Sequence, residues 1–228
     1  MSRGRAPTGD GPLRVGALAS GNGSSLRAIV RAIDEGVCPA AVVGVISDKP
    51  RSGALAFAQE RGLASACVPL RRGDDRAAWD RALAEAVAAF EPDLIVLSGF
   101  MRVLGPPLLD RFPNRILNVH PALLPAFRGL DAPAQALAAG VRITGCTVHL
   151  VDAGVDTGPI LAQAAVPVLP DDDATTLHGR IQAQEVALFP RVVSWIARGA
   201  LALDPPAWRG DPGDPSVAFA WPAPGDAR

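Results

Sequence analysis

The 228-residue sequence lacks a charge excess, a long hydrophobic run and an apolar leader. Its 22 Lys and Arg against 23 Asp and Glu leave a net charge of −1, so a general electrostatic affinity for nucleic acid is not expected. No uninterrupted apolar run approaches the roughly 20 residues of a membrane-spanning helix. Residues 1–12 lack the apolar core of a secretory signal. These absences predict a cytoplasmic protein with no nucleic acid or membrane partner.

Cysteine and histidine are also scarce, with three of each. Cys38, Cys67 and Cys146 lie far apart, which argues against a disulfide framework and favours a reducing compartment. The cysteines and histidines form no cluster with metal-ligand spacing, so we expect no metal site. A G-x-S-x-G nucleophile elbow is missing as well, which argues against a serine hydrolase.

The composition along the chain indicates a folded body between two tails. Hydrophobic residues make up 49% and charged residues 20%, the balance of a globular protein with a sizeable core. Residues 1–12 read as a flexible arm, 13–203 as the body, and 204–228 as a tail rich in Pro and Gly. We expect this tail to form no regular element.

The body alternates short apolar runs with helical patterns, which indicates an α/β fold with a mostly parallel central sheet and helices on both faces. Predicted strands cover 13–18, 41–46, 66–70, 93–99, 115–120, 143–151 and 159–168, and predicted helices cover 24–36, 52–61, 75–90, 106–112, 131–140 and 173–198. In such sheets, ligands bind beyond the carboxyl ends of the strands.

A glycine-rich loop, Ala19-Ser-Gly-Asn-Gly-Ser-Ser25, follows the first strand. Its glycines permit a tight turn, and the helix start that follows offers free N–H groups to an anion. The loop matches neither a P-loop nor the complete G-x-G-x-x-G pattern, so a phosphomonoester is favoured over a dinucleotide. The alternative is a plain glycine turn in which a serine caps the helix.

A second polar group is predicted at the end of the strand 115–120. Asn118 and His120 are two residues apart on that strand and therefore share a face. The loop after strand 143–151 carries Asp152 and Asp156, and a carboxylate beside His120 favours the imidazolium. We expect Asp156 to raise the pKa of His120, so that Asn118 and the imidazolium together stabilise an oxyanion. His149 reads as a structural or supporting residue and His178 as a surface residue.

Four segments, ASGNGSSL, SGFMRVL, ILNVHPALLPAF and VDAGVDTGPIL, appear in this order. Together they resemble the phosphoribosylglycinamide formyltransferases, the folate-dependent formyltransferases of purine (IMP) biosynthesis. The resemblance runs from about Leu13 to Leu203. It implies a Rossmann-like formyltransferase fold and transfer of a formyl group from 10-formyltetrahydrofolate to the amine of glycinamide ribonucleotide.

The resemblance also implies roles for individual residues. Gly23, Ser24 and Ser25 would hold the ribonucleotide phosphate, and Glu185 would contact its ribose. The folate would be contacted by Arg76, Asn118 and a donor segment, partly through its backbone, that consists of Met101, Arg102, Val103 and Leu104.

Asn118, His120 and Asp156 match the catalytic residues of the family, and no metal is required. The Leu124–Pro125 peptide bond would be cis. The protein would act on small molecules as a monomer or a homodimer.

Two positions depart from the family pattern. Asp131 and Pro133 stand where many bacterial members have histidines. The stretch FRGLDAP is similar to methionyl-tRNA formyltransferases, and a formyltetrahydrofolate hydrolase is a further relative. A hydrolase, a formyltransferase for another amine and a non-catalytic phosphate sensor therefore remain alternatives.

Overall fold

The computed structural model describes residues 11–210. The predicted arm lies almost entirely outside these residues, as does the tail beyond Gly210. The strands are β1 Leu13–Leu18, β2 Ala40–Ser47, β3 Ser65–Cys67, β4 Leu94–Leu97, β5 Ile116–His120, β6 Ile143–Leu150, β7 Ile160–Pro167, β8 Leu201–Leu203 and β9 Pro206–Trp208. The helices are α1 Ser24–Asp34, α2 Gly53–Glu60, α3 Arg76–Ala88, α4 Pro106–Leu109, α5 Ala132–Ala138 and α6 Ala174–Ala197.

Seven strands form the central sheet in the order β3-β2-β1-β4-β5-β6-β7. The first five are mutually parallel, whereas β6 runs antiparallel to both β5 and β7. The prediction of a mostly parallel sheet is confirmed. The strand order reverses between β1 and β4, and this switch point is where α/β sheets bind ligands.

Alternating side chains of the sheet supply two separate cores. On one face, Val15, Ala17 and Val96 pack with apolar residues of α1, α2 and α6. On the other face, Leu18 and Ile95 pack with Trp79 of α3 and Leu108 of α4 and with their apolar neighbours. The period of two along each strand separates these two sets, so helices cover both faces as predicted.

The prediction that the segment from Asp204 forms no regular element is wrong for its first residues. Strand β9, Pro206–Trp208, pairs antiparallel with β8, and the Trp208 ring stands edge-on to Trp195 of α6 with centroids 5.3 Å apart. The Pro content misled the prediction because a two-stranded hairpin has two edges, where a missing N–H is tolerated.

The predicted cis bond at Leu124–Pro125 is present. No helix within residues 11–210 is long and apolar enough to cross a membrane.

Candidate active site

Three loops leave the sheet side by side at the switch point. The glycine loop follows β1, the segment 98–105 follows β4, and β5 ends at His120. Because β1, β4 and β5 are consecutive parallel neighbours, their carboxyl ends lie at one edge of the sheet. Sequence segments about a hundred residues apart therefore meet at this edge.

The glycine loop ends in a left-handed residue that starts α1. Gly23 is the N-cap with φ 68° and ψ 44°, and no side chain of the loop caps the helix. A Cβ at Gly23 would lie 3.1 Å from Cβ of Ala54, so space and conformation both require glycine. The interpretation of a serine N-cap is therefore wrong.

The first turn of α1 leaves backbone donors for an anion. The first intrahelical bond runs from the Arg27 N–H to the Gly23 carbonyl at 2.9 Å. The N–H groups of Ser24 and Ser25 come before it and have no partner within the helix. Ser24 is half-buried and Ser25 is buried, so the seat is partly shielded from solvent. Its geometry suits a phosphate.

The carboxylate of Asp156 joins the predicted catalytic residues. Its Oδ2 lies 3.3 Å from Nδ1 of His120 and accepts the Gly129 N–H at 2.9 Å. Its Oδ1 lies 3.5 Å from Nδ2 of Asn118. Asp156 has a φ of 52°, a strained backbone conformation that directs this side chain to β5. The prediction that Asn118, His120 and Asp156 come together is confirmed.

Asp152 belongs to the turn rather than to this cluster. Its Oδ1 accepts the Gly154 N–H at 3.0 Å and the Thr157 hydroxyl at 2.6 Å. The side chain therefore holds the loop that presents Asp156.

The pKa of His120 is lowered, so the expectation of a raised pKa is wrong, although Asp156 itself acts in the expected direction. Burial, with the residue only 4% exposed, is the largest cause and opposes the charged ring. The Phe127 carbonyl, 2.8 Å from Nε2, and Asp156 act in the opposite direction but are outweighed. Both ring nitrogens nevertheless face oxygen acceptors. The imidazolium carries an N–H on each nitrogen and can donate to both, and a bound negatively charged substrate favours this form.

Burial also raises the pKa of Asp156, but here the other contributions prevail. The nearby rings of His149 and His120 and the hydrogen bond from the Gly129 N–H together lower the pKa below its ordinary value. Asp156 is therefore a carboxylate at neutral pH.

Sequence reasoning underestimated His149, which lies directly behind the cluster. Its Nδ1 faces the Leu150 carbonyl at 2.8 Å and therefore carries the proton. Its Nε2 lies 3.1 Å from Nδ2 of Asn118 and 3.5 Å from Oδ1 of Asp156. The antiparallel register that pairs Asn118 with His149 brings it there, and only knowledge of that pairing would have revealed it.

The donor segment, Met101 to Leu104, lies between α3 and the glycine loop. Phe100 and Leu104 are buried in the core, whereas Met101 and Val103 are 63% and 58% exposed. Arg76 donates hydrogen bonds to Asp80 at 2.9 Å and to the Val103 carbonyl, so the structure brings Arg76 to this segment. Arg102 is paired with the buried Asp48 at 2.7 Å. Backbone and apolar side chains thus remain available along one exposed edge.

Glu185 lies on α6 and is 7% exposed. Burial raises its pKa to about 7. Its charge acts on Cys146 of β6, so the carboxyl group lies between α6 and the sheet. A polar ligand beside it would relieve an unfavourable burial.

Asp131 and Pro133 begin α5. Asp131 is its N-cap with a φ of 55°, and Pro133 lies in the first turn, where a proline needs no N–H partner. Neither side chain is placed in the cluster around Asp156 by a described contact. Within residues 11–210, no group of His, Cys, Asp or Glu is arranged to hold a metal ion.

The chain is similar to known formyltransferases over most of its length. Residues 13–193 match the family model described as formyl transferase. A phosphoribosylglycinamide formyltransferase of Mycobacterium tuberculosis is 52% identical over 186 residues, which are 82% of this chain and 86% of that protein. The trifunctional purine biosynthetic protein adenosine-3 of Drosophila melanogaster is 43% identical over 84% of this chain and 14% of its own length.

The fold is matched equally closely. The crystal structure of glycinamide ribonucleotide transformylase 1 from Symbiobacterium toebii has a TM-score of 0.82 and 44% identity, and the match covers 89% of this chain and 95% of that one. Together with the cluster at the end of β5, these similarities show that the chain belongs to the formyl transferase family, among the phosphoribosylglycinamide formyltransferases.

Proposed function

We propose that this protein transfers the formyl group of 10-formyltetrahydrofolate to the primary amine of glycinamide ribonucleotide. The products are formylglycinamide ribonucleotide and tetrahydrofolate, and the step belongs to purine biosynthesis in the cytoplasm. The observation that carries the proposal is the convergence of Asn118, His120 and Asp156 beside a helix N-terminus suited to a phosphate. Acyl transfer between two bound substrates needs both features in one cleft.

The ribonucleotide occupies the end of α1 in this proposal. Its phosphate accepts hydrogen bonds from the backbone of Gly23, Ser24 and Ser25 and from the two hydroxyl groups. Its ribose hydroxyls donate to Glu185, whose buried carboxyl group gains a polar partner. The amine then points toward the end of β5.

The folate lies along the donor segment. The irregular backbone of this segment, held by the buried Phe100 and Leu104, offers N–H and C=O groups to a flat heterocycle. The Arg76 guanidinium, next to the Val103 carbonyl, provides positive charge for the acidic end of the folate. Asn118 contacts the formyl group itself.

In the chemical step, the amine lone pair attacks the formyl carbon and the C=O electrons move onto oxygen. The resulting oxyanion accepts a hydrogen bond from the Asn118 amide and is stabilised by the positive charge of the His120 imidazolium, whose two N–H groups face Asp156 and the Phe127 carbonyl. The long 3.5 Å contact between Asn118 and Asp156 is the one that yields to the substrate oxygen. When the tetrahedral species collapses, the C–N10 bond breaks, and N10 takes the proton that the amine has lost.

Asp156 serves as the proton carrier and as the partner of His120. Because its pKa is lowered, it is unprotonated at neutral pH and can accept the amine proton through a water molecule. Its negative charge also opposes the effect of burial on His120. The imidazolium, which takes its proton from solvent, is therefore favoured as negative charge develops on the substrate, where it contributes most to the rate.

A turnover assay with the full chain tests the proposal. Purified protein is mixed with glycinamide ribonucleotide and 10-formyltetrahydrofolate, tetrahydrofolate release is followed optically, and the formylated ribonucleotide is identified by mass spectrometry. Release of tetrahydrofolate that requires the ribonucleotide supports the transferase. Release of formate without any amine acceptor would indicate the hydrolase alternative, and folate binding without turnover would contradict both.

A further inference from the structure

Two serines follow the neighbouring strands β1 and β4 at the switch point. The side chain of each serine contacts the segment that follows the other strand. Ser20 follows β1 and Ser98 follows β4, and each is only 3% exposed. Backbone bonds extend the pairing to these residues, from the Ser98 N–H to the Leu18 carbonyl at 2.8 Å and from the Ser20 N–H to the Gly99 carbonyl at 3.2 Å. The two hydroxyl groups are thus fixed between the glycine loop and the donor segment.

Ser98 supplies the cap that α1 lacks. The N-cap Gly23 has no side chain, yet the N–H of Leu26, the third residue of the helix, donates to Oγ of Ser98 at 3.0 Å. That is the bond which an N-cap side chain makes in most helices. A residue of the strand that leads to the donor segment therefore orients the first turn of α1.

Ser20 makes the reciprocal contact. Its Oγ accepts the N–H of Met101 at 2.9 Å, although Ser20 itself belongs to the glycine loop. Met101 is the first residue of the donor segment and has an exposed side chain, so this bond holds its backbone in place. The start of the donor segment is therefore anchored by the loop that precedes α1.

We propose that Ser20 and Ser98 are positioning residues that act crosswise. Ser98, on the donor side, sets the geometry of the phosphate seat, and Ser20, on the phosphate side, sets the geometry of the donor segment. The assignment of the two seats rests on the proposed function. The crossed arrangement keeps the phosphate seat and the donor segment at a fixed distance and orientation. Transfer between two bound substrates requires such a fixed geometry.

Three single variants test the crossing, namely Ser98→Ala, Ser20→Ala and a matched control, Ser47→Ala. Ser47 also ends a strand, is fully buried and accepts a backbone N–H, that of Lys49 at 3.1 Å, but this contact is local. KM for both substrates, kcat and Tm are measured for each variant. Losing a buried acceptor is expected to change the affected KM about 3- to 10-fold.

We expect Ser98→Ala to raise KM for the ribonucleotide and Ser20→Ala to raise KM for the folate, while Ser47→Ala lowers Tm without moving either constant. The proposal would be overturned if Ser98→Ala raised KM for the folate and Ser20→Ala raised KM for the ribonucleotide. Equal changes in both KM values, or changes matched by Ser47→Ala, would overturn it as well.

Hydrogen exchange of backbone amides, measured without ligands, tests the crossed contacts independently of the proposed function. By NMR, exchange of the Leu26 amide is expected to accelerate only in Ser98→Ala, and that of the Met101 amide only in Ser20→Ala. If the amides respond in this way but wild-type protein shows no formyl transfer, the proposed function fails and the crossed contacts stand. Unchanged exchange in both variants would refute the contacts themselves.

Discussion

The glycine loop and the catalytic cluster lie at the same edge of the sheet but are built in opposite ways. The loop presents backbone N–H groups from consecutive residues, next to a turn made by the left-handed Gly23. The cluster presents side chains from β5 and from the loop after β6, held by hydrogen bonds across the antiparallel pair. In the proposed function, ribonucleotide binding thus depends on backbone N–H groups, and catalysis depends on side chains from distant segments.

This difference predicts how each region responds to substitution. A changed side chain in the cluster removes a charge or a proton carrier and should lower kcat. A changed backbone in the glycine loop misplaces donors and should raise KM for one substrate. The comparison is contradicted if a substitution in the cluster changes mainly KM, or if a substitution in the glycine loop changes mainly kcat.

The largest expected effect is that of Asp156→Asn on turnover. The amide keeps the shape of the side chain but removes the base and the charge that favours the His120 imidazolium, so kcat is expected to fall on the order of 10²-fold or more. The pKa of His120, followed by NMR, should fall further, because Asp156 acts to raise it.

Asp152→Asn is the matched control in the same loop, because Asp152 bonds to Gly154 and Thr157 within the turn. Its kcat should stay near that of the wild type. An Asp156→Asn protein with normal turnover would exclude Asp156 as the partner of His120.

The second effect is that of Gly23→Val on acceptor binding. A β-branched residue is strained at φ 68°, and its Cβ would meet Ala54 at 3.1 Å. We expect KM for the ribonucleotide to rise roughly 10- to 100-fold, since strain of about 1–3 kcal/mol is relieved by moving the donors. Titration with a folate analogue measures the other site, and equal loss of folate affinity would remove the proposed separation of the two seats.

Glu185→Gln should change how stability depends on pH. The raised pKa, about 7 against 4.5, means that the folded protein retains a proton that the unfolded chain releases. The stabilising contribution of Glu185 is therefore complete below pH 4.5 and is lost as the pH rises through 7. Between pH 5.5 and 8, urea unfolding should show the wild type losing about 2 kcal/mol relative to Glu185→Gln. Parallel pH profiles would contradict burial of an ionisable carboxyl group.

The smallest effect on activity is expected outside both regions, at Trp208. Trp208→Ala removes the edge-on contact with Trp195 and should lower the free energy of unfolding by about 1–2 kcal/mol, with kcat unchanged. Trp208→Phe should cost less, because the buried Nε1 of Trp208 has no hydrogen-bond partner within residues 11–210. A loss of turnover in a folded Trp208→Ala protein would connect the β8–β9 hairpin to the active site.

Much of this architecture could be predicted from local sequence patterns. The runs LRVGAL and LIVL and the helical spacing of Leu26, Ile29 and Val30 correspond to β1, β4 and α1. The motif with Asn118 and His120 indicated a shared face because a strand has a period of two. The hairpin ending at Trp208 escaped prediction because its stability comes from packing on α6, which composition does not reveal.

The sequence by itself determined which residues are able to carry the proposed chemistry, because residue type and short-range spacing decide charge, hydrogen-bonding capacity and secondary structure. Only the tertiary structure decided which partners those residues have. It assigned Asp156 to His120 and Asp152 to the turn, brought His149 behind Asn118, and lowered rather than raised the pKa of His120. Strand register and burial depend on contacts between segments far apart in the chain, and desolvation in that packed interior outweighs the attraction of a single neighbouring carboxylate.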